Sequence, residues 1–157
     1  GNIQSLANFL CINRQTIQFN PDSEAWVDAH TFVKNLEAVH PSIAELEAGV
    51  ACYRGEFMAG FSVPDTTIFE EWLLFQRELF ERLILKALHT LADIYTTQGE
   101  YARALSHAWR QVKLDPMREK AQRQLIRLLA YNGQVSEALI QYETLRRLLD
   151  DEIGVEP

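Results

Sequence analysis

The sequence predicts an all-α fold of stacked helical hairpins with a short β-hairpin at its N-terminal end, and three observations lead there. From Asp28 onward, apolar residues recur three and four positions apart, the spacing that lines one face of an α-helix. Gly99 and Gly133, 34 residues apart, each divide two such helical patterns, and the positions around them match at the same offset. Ahead of these, Thr16, Ile17, Gln18 and Phe19 alternate in polarity, the two-residue period of a strand.

Residues Phe9 to Phe19 (FLCINRQTIQF) set two short apolar or β-branched stretches around Asn13, Arg14 and Gln15, and the turn formers NPDSE end the pair at Glu24. A lone hairpin is marginal in water, so this one is expected to lean on another unit. Helical spacing begins with Phe32, Val33, Leu36 and Val39, and His40-Pro41 closes that helix because the residue before proline disfavours the α region. Ser42 to Glu45 (SIAE) has capping-box spacing and opens a second helix reaching about Tyr53. Arg54 to Pro64 (RGEFMAGFSVP) interrupts the pattern with two glycines and a proline, and its Phe57, Met58 and Phe61 are expected to pack inward. Thr67 to Glu70 (TIFE) repeats the capping-box spacing. A long helix follows, with Trp72, Leu73, Phe75, Leu79, Leu83, Leu88, Leu91 and Tyr95 near one face until Gln98-Gly99. Asp115-Pro116 is expected to start the next helix as an N-cap followed by proline. Asn132-Gly133 ends it, and the last helix runs from about Gln134 to Glu152.

At the offset of 34, Leu91 falls on Leu125, Tyr95 on Leu129, Ala104 on Ala138, Leu105 on Leu139 and Leu114 on Leu148. Ala104 and Ala138 read as helix crossings where a methyl permits close approach, with Tyr95 and Leu129 filling the space beside them and the glycines supplying left-handed helix ends. In length and in these positions the segment resembles tetratricopeptide repeats. The first copy fits through Leu91, Ala92, Tyr95, Ala104 and Pro116; the second fits less closely, since Ile126 replaces the small residue and Asp150 the proline. Repeat-like helical pairs are therefore expected at about 85–118 and 119–152, with Leu91, Tyr95, Ala104, Leu125, Leu129 and Ala138 buried in one core.

A more specific resemblance covers about Asp28 to Pro157. YRGEFMAGF (Tyr53 to Phe61), FEEWLLFQRE (Phe69 to Glu78), the two repeats and YETLRRLLDDEIGVEP (Tyr142 to Pro157) follow in order and spacing. In these motifs the chain resembles the bacterial transcriptional activator domain of antibiotic-regulatory-type and ATPase-containing transcription regulators. In that family the domain follows a winged-helix DNA-binding domain, and FLCINRQTIQFNPDSEAWVD (Phe9 to Asp28) resembles the tail of one, its last wing hairpin and linker. The resemblance thus implies residues 1–27 as that tail and 28–157 as the activator domain. It implies sequence-specific DNA binding only through the winged helix missing from this chain. The partners it implies are proteins: the regulator's own DNA-binding domain, another subunit, in one arrangement a homodimer, or the transcription machinery. A free-standing tetratricopeptide adaptor for a peptide and a small-molecule sensor are the competing readings.

Composition narrows the chemistry. Across 157 residues, 47% are hydrophobic and 24% charged, which suits one well-buried globular core. A net charge of −7 argues against non-specific coating of nucleic acid. No apolar run would span a bilayer and the first residues lack a signal-peptide pattern, so a cytoplasmic protein without membrane partners is expected. Cys11 and Cys52 lack metal-ligand spacing and read as buried free thiols. His30, His40, His89 and His107 form no HExxH or comparable cluster, and neither a nucleophile motif nor a phosphate loop occurs. Glu70-Glu71 and Asp150-Asp151 are adjacent, so their side chains diverge on a helix and read as solvated or helix-terminal charges. A non-catalytic chain is expected, with neither cofactor nor metal.

What remains is a surface. In tetratricopeptide folds the first helix of each repeat lines the concave side, and the resemblance places Lys86, His89 and Asp93 there in the first copy. The same offset puts Lys120, Arg123 and Arg127 at the matching places. By spacing alone these last three share a helix face, a basic stripe suited to a carboxylate, an acidic segment or a phosphate. The same residues also fit a solvated face balanced by Asp93 and Glu119, or a groove filled by the N-terminal helices. Trp72 reads as packing on the GEFMAGF segment or as an exposed anchor, and Trp109 as a residue of the repeat interface or of a dimer surface.

Overall fold

Residues 9–20, 22–63 and 66–152 are described by the computed structural model, with residues 151 and 152 described through their backbone alone. Pro64, the Asp151 side chain and residues 153–157 of the EIGVEP motif lie outside the described residues. The fold is all-α apart from one small hairpin at its N-terminal end. Strands β1 (Leu10–Ile12) and β2 (Ile17–Phe19) pair antiparallel, with Leu10 opposite Phe19 and Ile12 opposite Ile17. Asn13 closes the turn, its Oδ1 accepting the backbone N–H groups of Gln15 and Thr16 at 2.8 and 2.7 Å. Ile12, Ile17, Phe9 and Phe19 all stay exposed. Cys11 is exposed too, against the expected burial, because a single short ladder supplies no second layer to cover either face.

Six helices follow: α1 (Asp28–Leu36), α2 (Ile43–Cys52), α3 (Thr67–Thr97), α4 (Tyr101–Leu114), α5 (Glu119–Tyr131) and α6 (Val135–Glu152). Each packs on the next, and α1 also reaches α3. α1 stops short of the predicted end, and Val39 is 87% exposed. α2 opens on the predicted capping box: Ser42 Oγ accepts from Glu45 N, and Glu45 Oε2 accepts from Ser42 N at 2.8 Å. α1 and α2 meet so closely that a Cβ on Gly49 would lie 2.5 Å from Leu36 Cδ2, which explains a glycine in mid-helix.

The second capping box does not form. Thr66 takes the N-cap of α3 without a side-chain bond to the helix; its Oγ1 donates to Val63 O at 2.9 Å, and Glu70 Oε1 accepts weakly from Val63 N at 3.4 Å. α3 then runs 31 residues unbroken. Asp115-Pro116 likewise does not start α5; a turn in which Arg118 N donates to Asp115 O delays it to Glu119. Of the three predicted anchors in the loop after α2, Phe57 and Met58 are half-buried, whereas Phe61 is exposed and packs its ring edge-on to Phe69. Arg77 holds this loop to α3 through its Nε to Phe57 O at 2.9 Å and its Nη2 to Met58 O at 3.0 Å. Met58 there takes a φ of +50°, a conformation that needs such external support.

The two glycine turns are one structure used twice. Glu100 N donates to Tyr95 O and Gly99 N to Thr96 O; 34 residues on, Gln134 N donates to Leu129 O and Gly133 N to Ala130 O. These pairs of bonds satisfy the last carbonyls of α3 and α5, and they require the left-handed glycines, whose φ values are +76° and +79°. All six predicted core residues are buried, from Leu91 and Ala104 with no exposed area to Ala138 at 6%. One predicted match fails: Leu105 is 7% exposed and Leu139 62%. α4 is packed between α3 and α5, whereas α6 packs chiefly on α5. Its other face carries Tyr142 and Arg146 where α4 has Ala108 and Val112.

Ala104→Leu would insert a larger side chain where no free area exists and should cost about 1 to 3 kcal/mol from overpacking. Leu139→Ala, on the exposed face of α6, should change stability by no more than about 0.5 kcal/mol. Thermal unfolding of the two variants checks the register: equal melting temperatures would contradict it.

Candidate functional site

α3 and α5, the leading helices of the two repeats, border a groove of about 410 Å³. His89, Asp93 and Thr96 line it from α3, and Lys120, Gln124, Arg127, Leu128 and Tyr131 from α5. Its floor is a hydrogen-bond hub. Gln124, 5% exposed, donates from Nε2 to Asp93 Oδ1 at 2.7 Å and to His89 O at 3.2 Å. Its Oε1 accepts from Gln111 Nε2 at 2.8 Å and meets His89 Nδ1 at 2.9 Å. Since that oxygen can only accept, Nδ1 carries the proton, and His89 Nε2 is left 3.4 Å from Asp93 Oδ2, an ion pair when the ring is protonated. One amide therefore ties α3, α4 and α5 together with every donor and acceptor used.

Three of the five predicted contact residues, His89, Lys120 and Arg127, come together here. Lys86 does not: it borders a separate depression with Leu36, Val39 and Pro41, where the connection after α1 crosses α3. Arg123 is taken up by an ion pair with Glu119 one turn earlier on α5. Gln124 and Tyr131 were missed. A row of Lys120, Gln124, Arg127 and Tyr131 has the same three- and four-residue spacing as the predicted stripe and would have found them.

Two other clusters are built into the helix packing. Tyr95 donates to Glu47 Oε1 at 2.5 Å, Arg103 Nη2 donates to the same oxygen at 2.7 Å, and the guanidinium lies 3.9 Å over the Tyr95 ring. His107 stacks on the other ring contact of Tyr95 at 5.7 Å. The Tyr95 hydroxyl bond, assisted by Arg103, holds the Glu47 carboxyl below its ordinary pKa. Burial, with Arg110 and Arg103 nearby and Glu47 opposing, lowers that of His107. Arg110 reaches from α4 to the carbonyls of Val50 and Tyr53 at the end of α2. The second cluster is aromatic: Phe32, Phe57, Phe80 and Tyr53 wall a cavity of about 280 Å³. Trp72 does not line the cavity; 46% exposed, it packs its ring 6.2 Å from Phe57 and 5.7 Å from Phe69. Trp109 is equally exposed on α4, away from the repeat core.

Among the described residues no group of three His, Cys, Asp or Glu side chains could hold a metal ion, and no helix is long and apolar enough to cross a membrane. A family model described as the bacterial transcriptional activator domain matches residues 24–157. The chain is 32% identical over 112 residues to the regulatory protein AfsR of Streptomyces coelicolor, covering 71% of this chain and 11% of that protein. To the regulatory protein AfsR of Streptomyces griseus it is 34% identical over 82 residues, 52% of this chain and 8% of that protein. The chain thus spans about a tenth of the length of these relatives.

Gln124→Leu would strand the buried Gln111 amide and the Asp93 and His89 groups it serves, and should lower stability by about 1 to 3 kcal/mol; a urea midpoint equal to that of the unchanged protein would contradict the hub. His107 gives a pH signature. Its folded pKa lies below the ordinary 6.5, so the unfolded chain binds the extra proton first. Its contribution is complete above that value and is lost as pH falls through it. Urea midpoints at about pH 7.5 and about pH 5.5 should differ less for His107→Gln than for the unchanged protein.

Proposed function

Since the chain belongs to the bacterial transcriptional activator domain family, we propose that it is the non-catalytic, protein-contacting part of a larger transcription regulator, with DNA read by a winged-helix domain outside it. The observation that carries this reading is the groove, in which side chains from both repeats stand exposed around a polar floor held by Gln124. A surface so held is suited to binding and positioning. Its residues supply neither a nucleophile with an adjacent base nor a metal cluster, the ingredients that catalysis of acyl or phosphoryl transfer would draw on.

The division at residue 28 agrees with the chemistry on either side. Residues 10–19 form a hairpin whose apolar side chains are exposed, as suits the edge of a neighbouring unit. From Asp28 the chain builds its own core through Phe32, Leu36, Leu46, Val50 and Phe80. The partners that fit are proteins: the regulator's DNA-binding domain, a second subunit or the transcription machinery. A charge of −7 disfavours DNA as a partner of this chain itself.

In the intact regulator, removal of residues 28–157 should leave operator binding in place and abolish activation of a reporter gene. The 157-residue chain alone should not separate the operator from a scrambled duplex at physiological salt. Activation that survives the deletion, or operator-specific binding by the chain alone, would sink the proposal.

A further inference from the structure

The geometry points to an acidic peptide segment of a partner protein as the occupant of the α3–α5 groove, gripped by Lys120 and Arg127 against Tyr131. This rests on the reading that the domain works through protein contacts, and it names the chemistry of the contact.

The cations of the molecule divide into used and unused. Arg77 and Arg110 donate to backbone carbonyls, and Arg103, Arg123 and Arg146 pair with Glu47, Glu119 and Glu143. Other cations, Arg82 and Arg147 among them, likewise stand in no ion pair with a described residue; Lys120 and Arg127 are the two of these that line the α3–α5 groove. Arg127 spends only its Nε, on Arg123 O of its own helix at 3.3 Å. Its terminal nitrogens remain able to hold a carboxylate through parallel bonds.

The acid across the groove does not compete for them. Asp93, though its side chain is 63% exposed, accepts from Gln124 Nε2 through Oδ1 at 2.7 Å, and its Oδ2 lies 3.4 Å from His89 Nε2, so both oxygens have partners within the site. Lys120 and Arg127 are two turns of one helix apart from end to end, with Tyr131 continuing the row at 61% exposure, while Leu128 beneath them is 1% exposed and belongs to the core. Carboxylates spaced along a peptide with an aliphatic side chain between them match such an arrangement of charge and apolar surface. A volume of about 410 Å³ accepts a few side chains and offers too few cations to hold a duplex by its phosphates. In a chain of net charge −7 an acidic partner is repelled at long range. Binding must then come from these short contacts, which is why their loss should be decisive.

Fluorescence anisotropy of a short labelled peptide of alternating Asp and Leu tests this with the 157-residue chain. The Asp peptide should bind, its Asn counterpart should not, and Lys120→Glu with Arg127→Glu should weaken binding by about tenfold or more. Tyr131→Ala should weaken it less, and Arg146→Glu on α6 should leave it unchanged. Circular dichroism confirms folding; should the double reversal unfold, Lys120→Gln with Arg127→Gln supplies the same comparison. Failure of the Asp peptide to bind, equal affinity for the Asn peptide, or insensitivity to both double variants would overturn the assignment. So would tighter binding of a phosphoserine peptide or of duplex DNA at the same residues. None of these outcomes decides the deletion experiment on the intact regulator, so the groove and the wider function fail separately.

Discussion

Alanine at the helix crossings is the constraint from which the rest of the molecule follows. Ala92 on α3, Ala104 and Ala108 on α4, and Ala121 on α5 have no exposed area, and all join one core with Leu88, Leu91, Leu125 and Leu129. A methyl is the largest group that lets helices approach this closely while the leucines beside it interdigitate. Once α3 and α5 are both seated on α4 in this way, they lie beside each other, and their outward faces become the two walls of a groove. Neither wall could be moved without repacking the core behind it.

The polar groups obey the same geometry. Gln111 and Gln124 are buried in a predominantly apolar interior, where an unmet amide costs more than a made bond returns. They meet each other, and Gln124 spends its remaining bonds on His89 and Asp93. The floor of the groove is thus part of the structural hydrogen bonding, with Gln111 Oε1 alone in that pair of amides left without a partner, and the cations at the rim have bonding capacity to spare. Two arginines elsewhere act as fasteners. Arg77 holds the loop after α2, and Arg110 holds the end of α2 itself, so the N-terminal pair of helices is tied to the repeats by donors aimed at free carbonyls.

Much of the fold could be read from the residues. The 34-residue offset located both left-handed glycines and six core positions, because helix ends and helix crossings tolerate few residue types and so leave marks in sequence. Local signals without that redundancy were less faithful. SIAE formed its capping box and TIFE did not, though both have the spacing, since the chain before Thr67 arrives with Thr66 at the N-cap and Glu70 turned back to Val63. Asp115-Pro116 could begin a helix but is spent on the turn that brings α5 back across α4.

By itself the sequence determined the helical class, the repeat period, the burial of Leu91, Tyr95, Ala104, Leu125, Leu129 and Ala138, and the family to which the chain belongs. These depend on periodicity and residue size, which are properties of one segment at a time. Only the tertiary structure decided which cations line a groove. Lys120, Arg123 and Arg127 are equivalent along a helix face, yet Arg123 is closed by Glu119 and the other two open on the groove. Lys86, at the place equivalent to Lys120, is carried to a different depression by the chain after α1. The groove and the depression at Lys86 exist only once the helices are packed, whereas the closure of Arg123 by Glu119 four residues earlier is a pairing within one helix.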